Sequence, residues 1–585
     1  MTAGLGALAT SPPAATAEEN RPIGQEIEPF ALHDFRGKLH RLADYDDSRV
    51  LVLVFVGNDC PLVKLYLPRL TALADEYAPQ GVTVLAINSN VQDTPTEMAA
   101  FARHHDLTLP LLKDAGNRLA DAVGATRTPE VVVLDSERTI RYRGRIDDQY
   151  GVGFNRGTVR TAYLADAIES LLSAAPLATS QVEPVGCLIG RVPTVEPQGD
   201  VTWSGQIASI FHRRCAECHR EGEIGPFPLT AYDEVLGWGE MIVEVVSESR
   251  MPPWFADPKY GHFANDSSMT DEEKQLIYTW VANGCPEGRA DDAPEVPEFV
   301  SGWRIDEPDL VFRMPEPYDV PAEGTVDYVY VEVDPQLTED VWVSAAEARP
   351  DNAAVVHHIV LYAVPPGGSR AMDSTGGFGQ MLAIYAPGMP PWVYPEGTAM
   401  HVKAGSRFVF QMHYTPNGTA QRDQSYVGLK LAPAESVRRK ARYGMALNVA
   451  IEIPPHAEDY PITSMSKFRR DTLLLSLFPH MHYRGKSFRF VAEYPDGSSE
   501  ILLDVPRYDF NWQLRYDLVE AKLLPKGTVL RCYAQFDNSL NNNMNPNPDE
   551  TVRFGLQSWE EMMVGYYTIV SAEEDVEHEE LAQQN

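Results

Sequence analysis

Residues 478–487 read FPHMHYRGKS, and the apolar run LLLSL leads into them. A strand turns alternate side chains to opposite faces, so His480 and His482 are expected on one face and Met481 on the other. Two imidazoles on one strand face suit a metal ion, although a half-exposed strand also carries histidines that are merely solvated. The surrounding sequence decides between the two. From about residue 300 onward short alternating runs succeed one another: VDYVYVEVD, VVHHIVLYAV, SRFVFQMHYTP, SFRFVAEYPDG and TVLRCYAQFD. Proline-rich connections separate them and no long amphipathic helix intervenes. This texture predicts two tandem all-β sandwiches, at 300–435 and 436–572.

A chain of 585 residues is too long for one core, and about three to five domains are expected. The formal net charge of -34 argues against nucleic acid or an anionic membrane surface as a partner, because like charges repel. No stretch approaches the roughly 18 consecutive apolar residues of a transmembrane helix, so no integral membrane segment is expected. Residues 1–21 are small and low in complexity, a leader or a signal-peptide remnant in which Ala15-Thr16-Ala17 has the form that signal peptidase cuts. Residues 573–585 are an acidic tail. Six cysteines in so long a chain exclude a disulfide scaffold.

Residues 22–175, within a domain placed at 22–195, alternate strand and helix: VLVLVFV, LPRLTALADEY, VTVLAINSN, TEMAAFARHHD and PEVVVLD. That order predicts an α/β domain. Cys60 follows the first buried strand, and Pro61 suits the first turn of the next helix, whose dipole favours a thiolate. The segment resembles the thioredoxin-like redoxin and peroxiredoxin superfamily, with Thr128-Pro129 similar to that fold's cis-proline loop. Two departures stand out. Val63 removes the CxxC of a disulfide oxidoreductase, and Gly57 replaces the Thr or Ser of a peroxide pocket. Cys187 is a candidate resolving thiol, and a structural or docking role for the domain stays open.

Residues 200–292 read as short helices around Cys215-Ala216-Glu217-Cys218-His219. C-x-x-C-H is the covalent attachment signature of c-type haem, in which two thiols bond the vinyl groups and the adjacent His reaches the iron. A zinc or redox CxxC is the alternative. The flanking helix, Gly/Pro-rich loop and closing helix resemble a small class I cytochrome c domain. Met251 precedes proline and is expected in extended chain, where it would serve as the distal axial ligand. Met241, Met269 and His262 are rivals.

In the β-rich half the remaining ligand types fall into groups: His357 and His358, His413, His480 and His482, and Met562, with His401 and His456 left over. They suggest an all-imidazole site and a His-His-Met site. Nitrogen ligands joined by a soft thioether favour copper.

The ordered strings HHIVLY, FQMHY, HMHYRGK, CYAQFDNS and EEMMVGYY resemble the type II, ascorbate-dependent copper monooxygenases, the family of dopamine β-monooxygenase and peptidylglycine α-hydroxylating monooxygenase. The resemblance implies two jelly-roll-like domains and two copper ions. It places an electron-transfer copper on His357, His358 and His413, and an oxygen-binding copper on His480, His482 and Met562, with Tyr566 lining the substrate cleft. It further implies hydroxylation of a substrate C–H bond by O2. Met563 stands where the family has a cysteine, which leaves Cys532 as a free thiol. Phe478-Pro479 stands where the peptide-hydroxylating member has an Arg, which argues against a carboxylate anchor.

The combined expectation is an extracytoplasmic, periplasmic or secreted monooxygenase acting on a small-molecule or peptide substrate. Electrons from an external donor, an ascorbate-like reductant or a redox protein, would be relayed through the haem. A non-catalytic electron carrier or copper-binding protein is one alternative. Thiol or peroxide redox chemistry at Cys60 is the other.

Overall fold

The computed structural model describes residues 23–191, 195–300, 302–368, 379–573 and 576. The leader lies outside these, as does all of the acidic tail except residues 573 and 576. The chain divides into two compact units, one built from the segments that end at residue 191 and the other from residue 192 onward, the latter also taking in 64–66 and 149–160.

The first unit is α/β. VLVLVFV forms the strand Val50–Val56, buried at every position. A strand with apolar side chains on both faces belongs in the middle of a sheet covered on both sides. It lies there, parallel to Val82–Asn88 and antiparallel to Glu130–Leu134, in a sheet of seven strands. The helix Pro61–Tyr77 starts directly after it, with Cys60 as its N-cap and Pro61 in its first turn. The Thr128–Pro129 peptide is cis.

The second unit opens with short helices, Ala208–Arg214, Gly239–Ser247 and Asp271–Ala282. They pack around Trp203, Phe211 and Trp280, whose ring centroids are 5.4 to 6.5 Å apart. Thr270 and Glu273 form a capping box at the start of the last helix. The loop before that helix reaches the β region: Trp254 and Phe263 pack on Tyr516, and Asn265 exchanges hydrogen bonds with the backbone of Arg515 and Asp517. From residue 310 to residue 571 the described residues form β-strands and no α-helix.

One nine-stranded sheet runs through the whole β region. Its halves meet where Thr398–Val402 pairs in parallel with Arg439–Asn448. A four-stranded sheet containing Val356–Val364 and Arg407–Tyr414 covers one half, and another containing Gly485–Glu493 and Val529–Phe536 covers the other. Two apolar cores fill the spaces between the layers. The sequence predicted the alternation but not this common sheet, whose joining pair is a long-range contact.

The strand that carries FPHMHY spans Thr472–His480 and stops there. His482 therefore lies beyond it, and the expectation of one strand bearing both histidines is corrected on this point. Met481 is fully buried in the second core, turned away from the imidazoles.

Cys532 is a free, buried thiol. It faces Gly565 across the two layers, where a Cβ on Gly565 would lie 2.4 Å from Cys532 Sγ and 2.8 Å from Phe490. Gly565→Ala should therefore overpack the core and cost about 1–3 kcal/mol. Adding Cys532→Ala should recover part of that loss in chemical denaturation. An undiminished loss in the double variant would contradict the layer contact.

Candidate functional sites

His357 and His358 are neighbours on one strand, and strict alternation would send them to opposite faces. The pairing of Val356–Val364 with Arg407–Tyr414 breaks register at this point: Val356 lies opposite Tyr414 and His358 opposite His413, which leaves His357 as the extra residue. Such a bulge re-aims a side chain. The ring nitrogens of His357, His358 and His413 consequently lie within 4.8 Å of one another. Tyr328 packs edge-on against His358 and tilted against His413. Phe510 stacks on His357 at 5.1 Å.

Burial pushes the His357 basicity down to about 4, and burial together with the neighbouring imidazoles holds His358 and His413 well below the usual range. All three are neutral at physiological pH. Both nitrogens of His357, Nε2 of His358 and Nδ1 of His413 are buried with no hydrogen-bond partner. Buried polar atoms are ordinarily satisfied. Three neutral imidazoles converging with free nitrogens fit a soft or borderline metal ion that accepts nitrogen ligands.

His480 and His482 converge in the same way, their ring centroids 5.2 Å apart. His480 Nδ1 lies 2.6 Å from Gln513 Oε1. An amide oxygen only accepts, so Nδ1 carries the proton and Nε2 the lone pair. His482 Nδ1 likewise meets the Glu560 carbonyl at 3.3 Å, and its Nε2 is buried without a partner. Fixing the outer nitrogen of a ring in this way is how proteins orient a metal-binding imidazole. Burial lowers His480 to about 4, and burial with the neighbouring His480 imidazole holds His482 well below its usual range.

Met562 is brought beside His480 by strand pairing, His480 lying opposite Val564, and is tied to His482 by Glu561. This fully buried carboxylate accepts from the backbone N–H groups of His482 at 3.0 Å, Arg484 at 2.6 Å and Met562 at 3.2 Å. Burial raises Glu561 to about 7, against the pull of those N–H groups and of Arg484. Arg484 is itself buried and bonded to Asn538 and the Trp559 carbonyl. A small, partly open cavity is lined by His358, His480, His482, Met562 and Tyr566. Gln513, Phe510 and Glu561 were not found by sequence reasoning, because none sits at a diagnostic spacing from a histidine. The left-over histidines each face a carboxylate away from these clusters, His401 at 2.9 Å from Asp340 and His456 at 3.0 Å from Asp549.

In the helical segment Cys215 caps the helix Ala208–Arg214, and the His219 N–H returns to the Cys215 carbonyl at 2.8 Å. The two thiols share one turn and are free, and burial chiefly pushes them up, to about 12 and 11. His219 Nδ1 donates to the Phe227 carbonyl at 3.1 Å, which directs Nε2 outward as a lone pair. Two free thiols beside an imidazole with a committed Nδ1 fit covalent haem attachment. Met251 is half-buried after the helix Gly239–Ser247, its N–H bonded to the Val245 carbonyl, and the bond to Pro252 is cis.

Cys60 Sγ donates to the Thr128 carbonyl at 2.9 Å. Cys187 lies directly opposite Thr128 in a short antiparallel pair. Burial acts to raise the Cys60 thiol, but hydrogen bonds with Cys187 and the Val63 N–H outweigh it and bring Cys60 down to about 6. At Gly57 a Cβ would sit 2.3 Å from Asn90 Nδ2, so the Ser or Thr of a peroxide pocket has no room.

Comparison with known proteins bears on this first unit. Residues 23–143 match the AhpC/TSA family. The chain is 29% identical over 119 residues to the thiol-disulfide oxidoreductase ResA of Geobacillus thermodenitrificans, covering 20% of this chain and 67% of that protein. A hypothetical protein of Sinorhizobium meliloti 1021 of known structure is 35% identical, with 29% of this chain and 94% of that chain covered and a TM-score of 0.27. An uncharacterized conserved protein from Geobacillus kaustophilus is 31% identical, with 31% and 96% covered and a TM-score of 0.28. The N-terminal unit is a thioredoxin-like redoxin domain, followed by a helical segment and a large all-β region. Among the described residues no helix is long and apolar enough to cross a membrane.

Glu561→Leu should strand three buried N–H donors, each at about 1–3 kcal/mol, and Glu561→Gln should cost less because one acceptor oxygen survives. Denaturation midpoints order the two variants. Equal stability of Glu561→Leu and the parent would remove Glu561 as the clamp.

Proposed function

We propose that this chain, which carries an AhpC/TSA-family domain at residues 23–143, is an extracytoplasmic oxidoreductase whose β region is a copper monooxygenase of the type II, ascorbate-dependent kind. The observation that carries the reading is the convergence of His357, His358 and His413, each with a buried ring nitrogen that has no protein partner, together with the unpartnered Nε2 of His482 beside His480. His357, His358 and His413 would hold one copper ion. His480, His482 and Met562 would hold the other. The two halves of the β region would be the two jelly-roll-like domains, and residues 200–292 a cytochrome c domain with haem on Cys215, Cys218 and His219 and with Met251 as the distal ligand. Copper in these sites supplies dioxygen activation and single-electron transfer, and a covalent haem supplies single electrons from an external donor.

The chain's own residues account for much of what such chemistry needs. Gln513 and the Glu560 carbonyl fix the imidazole tautomers. Glu561 and Arg484 hold Met562 and His482 on one rigid loop pair. The thioether is the discriminating ligand, since an all-nitrogen set would serve storage equally well. Phe478 and Tyr566 stack on one another beside His480, with Tyr566 tilted against its ring.

Metal analysis of the full chain should find two copper ions. Met562→Ala should abolish reductant-dependent oxygen uptake while the three-histidine copper persists by paramagnetic resonance. Loss of both coppers together would contradict the assignment of separate sites. Cys218→Ser should release haem from covalent attachment.

A second reading is favoured by one observation, the contact of Cys60 with Cys187. In it the redoxin domain exchanges disulfides through a pair that replaces CxxC. The Cys60 thiolate attacks oxidised glutathione and releases one glutathione thiol; Cys187 then displaces the second, so one disulfide forms as another is reduced. With Cys60 lowered to about 6, the thiolate fraction and the rate should rise from acid pH and level off above neutrality. Peptide mapping should then show a Cys60–Cys187 disulfide. Its absence at pH 7, with Cys187 alone carrying glutathione, would end this reading.

A further inference from the structure

The cavity beside His480, His482 and Met562 has a lining that is informative about what it accepts. Val360, Met381, Ile384 and Leu556 supply aliphatic surface, and Phe478 and Tyr362 supply rings. Its polar lining, apart from the histidines and tyrosines, is the amide pair Gln411 and Gln513. Among the described residues no Asp, Glu, Lys or Arg lines it. In the metal-free chain the lining thus offers a charged ligand no carboxylate, ammonium or guanidinium partner.

A charged ligand entering such a space gives up hydration and finds no counter-charge, a penalty of several kcal/mol. A neutral one loses little. The second observation concerns Gln513, which is 4% exposed. Its Oε1 is committed to His480 Nδ1, and its Nε2 is buried without a partner. An orphaned amide donor on the wall of an apolar cavity calls for an acceptor oxygen. Gln411 differs, since its Nε2 already donates to the Tyr330 hydroxyl.

Size narrows the class further. The cavity is about 50 Å³, enough for a molecule of a few heavy atoms.

We infer that this cavity binds a short, uncharged, mostly apolar molecule bearing one acceptor oxygen, such as an alcohol or ketone, with Gln513 Nε2 donating to that oxygen. The inference rests on the copper-site reading for its catalytic meaning and makes a peptide the wrong substrate. It concerns binding alone and is testable without metal.

The test is a series of equal length that differs in charge: butan-1-ol and butan-2-one against butylammonium and butanoate. Dissociation constants are read by ligand-observed magnetic resonance on the full chain with copper removed. The neutral compounds should bind at least about tenfold more tightly than either ion. Gln513→Glu keeps an acceptor for His480 but replaces the donor with a carboxylate. It should lose most of the neutral affinity and gain for butylammonium. Gln411→Glu, on the opposite wall, serves as a second charge-introducing variant should Gln513→Glu fail to fold, and it too should turn the preference toward butylammonium. Equal binding of the ions, or no binding by any of the four compounds, would overturn the inference. So would unchanged selectivity in a folded Gln513→Glu chain. Copper stoichiometry is scored separately: a chain that binds butan-1-ol selectively yet takes up no copper would refute the monooxygenase reading and leave the ligand class standing.

Discussion

The architecture of the β region answers to one costly arrangement, the gathering of five imidazoles, four of which carry buried ring nitrogens that meet no protein partner. Each such nitrogen forfeits the hydrogen bond it had in water, at about 1–3 kcal/mol. A fold tolerates that when the surrounding packing over-determines the rings. Here Tyr328 and Phe510 brace the first cluster, and Phe510 also reaches His482 at 6.2 Å. One phenyl ring thus contacts imidazoles of both clusters. The common nine-stranded sheet gives the two halves a continuous backbone frame, so neither cluster is carried on a free loop domain.

The second cluster is held by strand geometry and electrostatics together. The strand ending at His480 pairs antiparallel with Met563–Ser571, His480 opposite Val564, which sets Met562 beside it, and the three N–H groups gathered by Glu561 fix His482, beyond the strand end, to the same place. Burying a carboxylate for this purpose is expensive, and Arg484 offsets the expense from inside the same core. The redoxin domain solves a related problem differently. Cys60 combines a helix N-terminus with the neighbouring Cys187, so a fully buried thiol is nonetheless shifted toward the thiolate.

How far the sequence was legible follows from which interactions are local. VLVLVFV, Cys60-Pro61 and the alternation of residues 22–175 named the α/β unit, because burial on both faces and helix capping are written in consecutive residues. The alternating runs after residue 300 named the all-β region for the same reason. The parallel join of Thr398–Val402 to Arg439–Asn448 was invisible, since strand pairing across a sandwich leaves no periodic trace. At the sites, residue types were legible and their geometry was not. Alternation alone would have separated His357 from His358, and only the register break unites them. His482 was expected on a strand that in fact ends at His480. Glu561 sat in plain view beside Met562, but a glutamate in EEMM gives no sign that its partners are backbone groups some 80 residues away.

Gln513 shows how closely support and recognition are tied in this site. Its oxygen sets the tautomer of His480 and its nitrogen faces the cavity, so one amide acts on both the ring and any ligand beside it. Neither an acid nor a hydrocarbon of the same size has the two functions together. A leucine leaves Nδ1 of His480 unsatisfied and frees the tautomer; a glutamate preserves the acceptor but removes the donor and adds a charge that the apolar lining cannot screen. The amide is the side chain that meets both demands in a cavity without ions. Its choice over a carboxylate is what the neutrality of the surrounding wall requires.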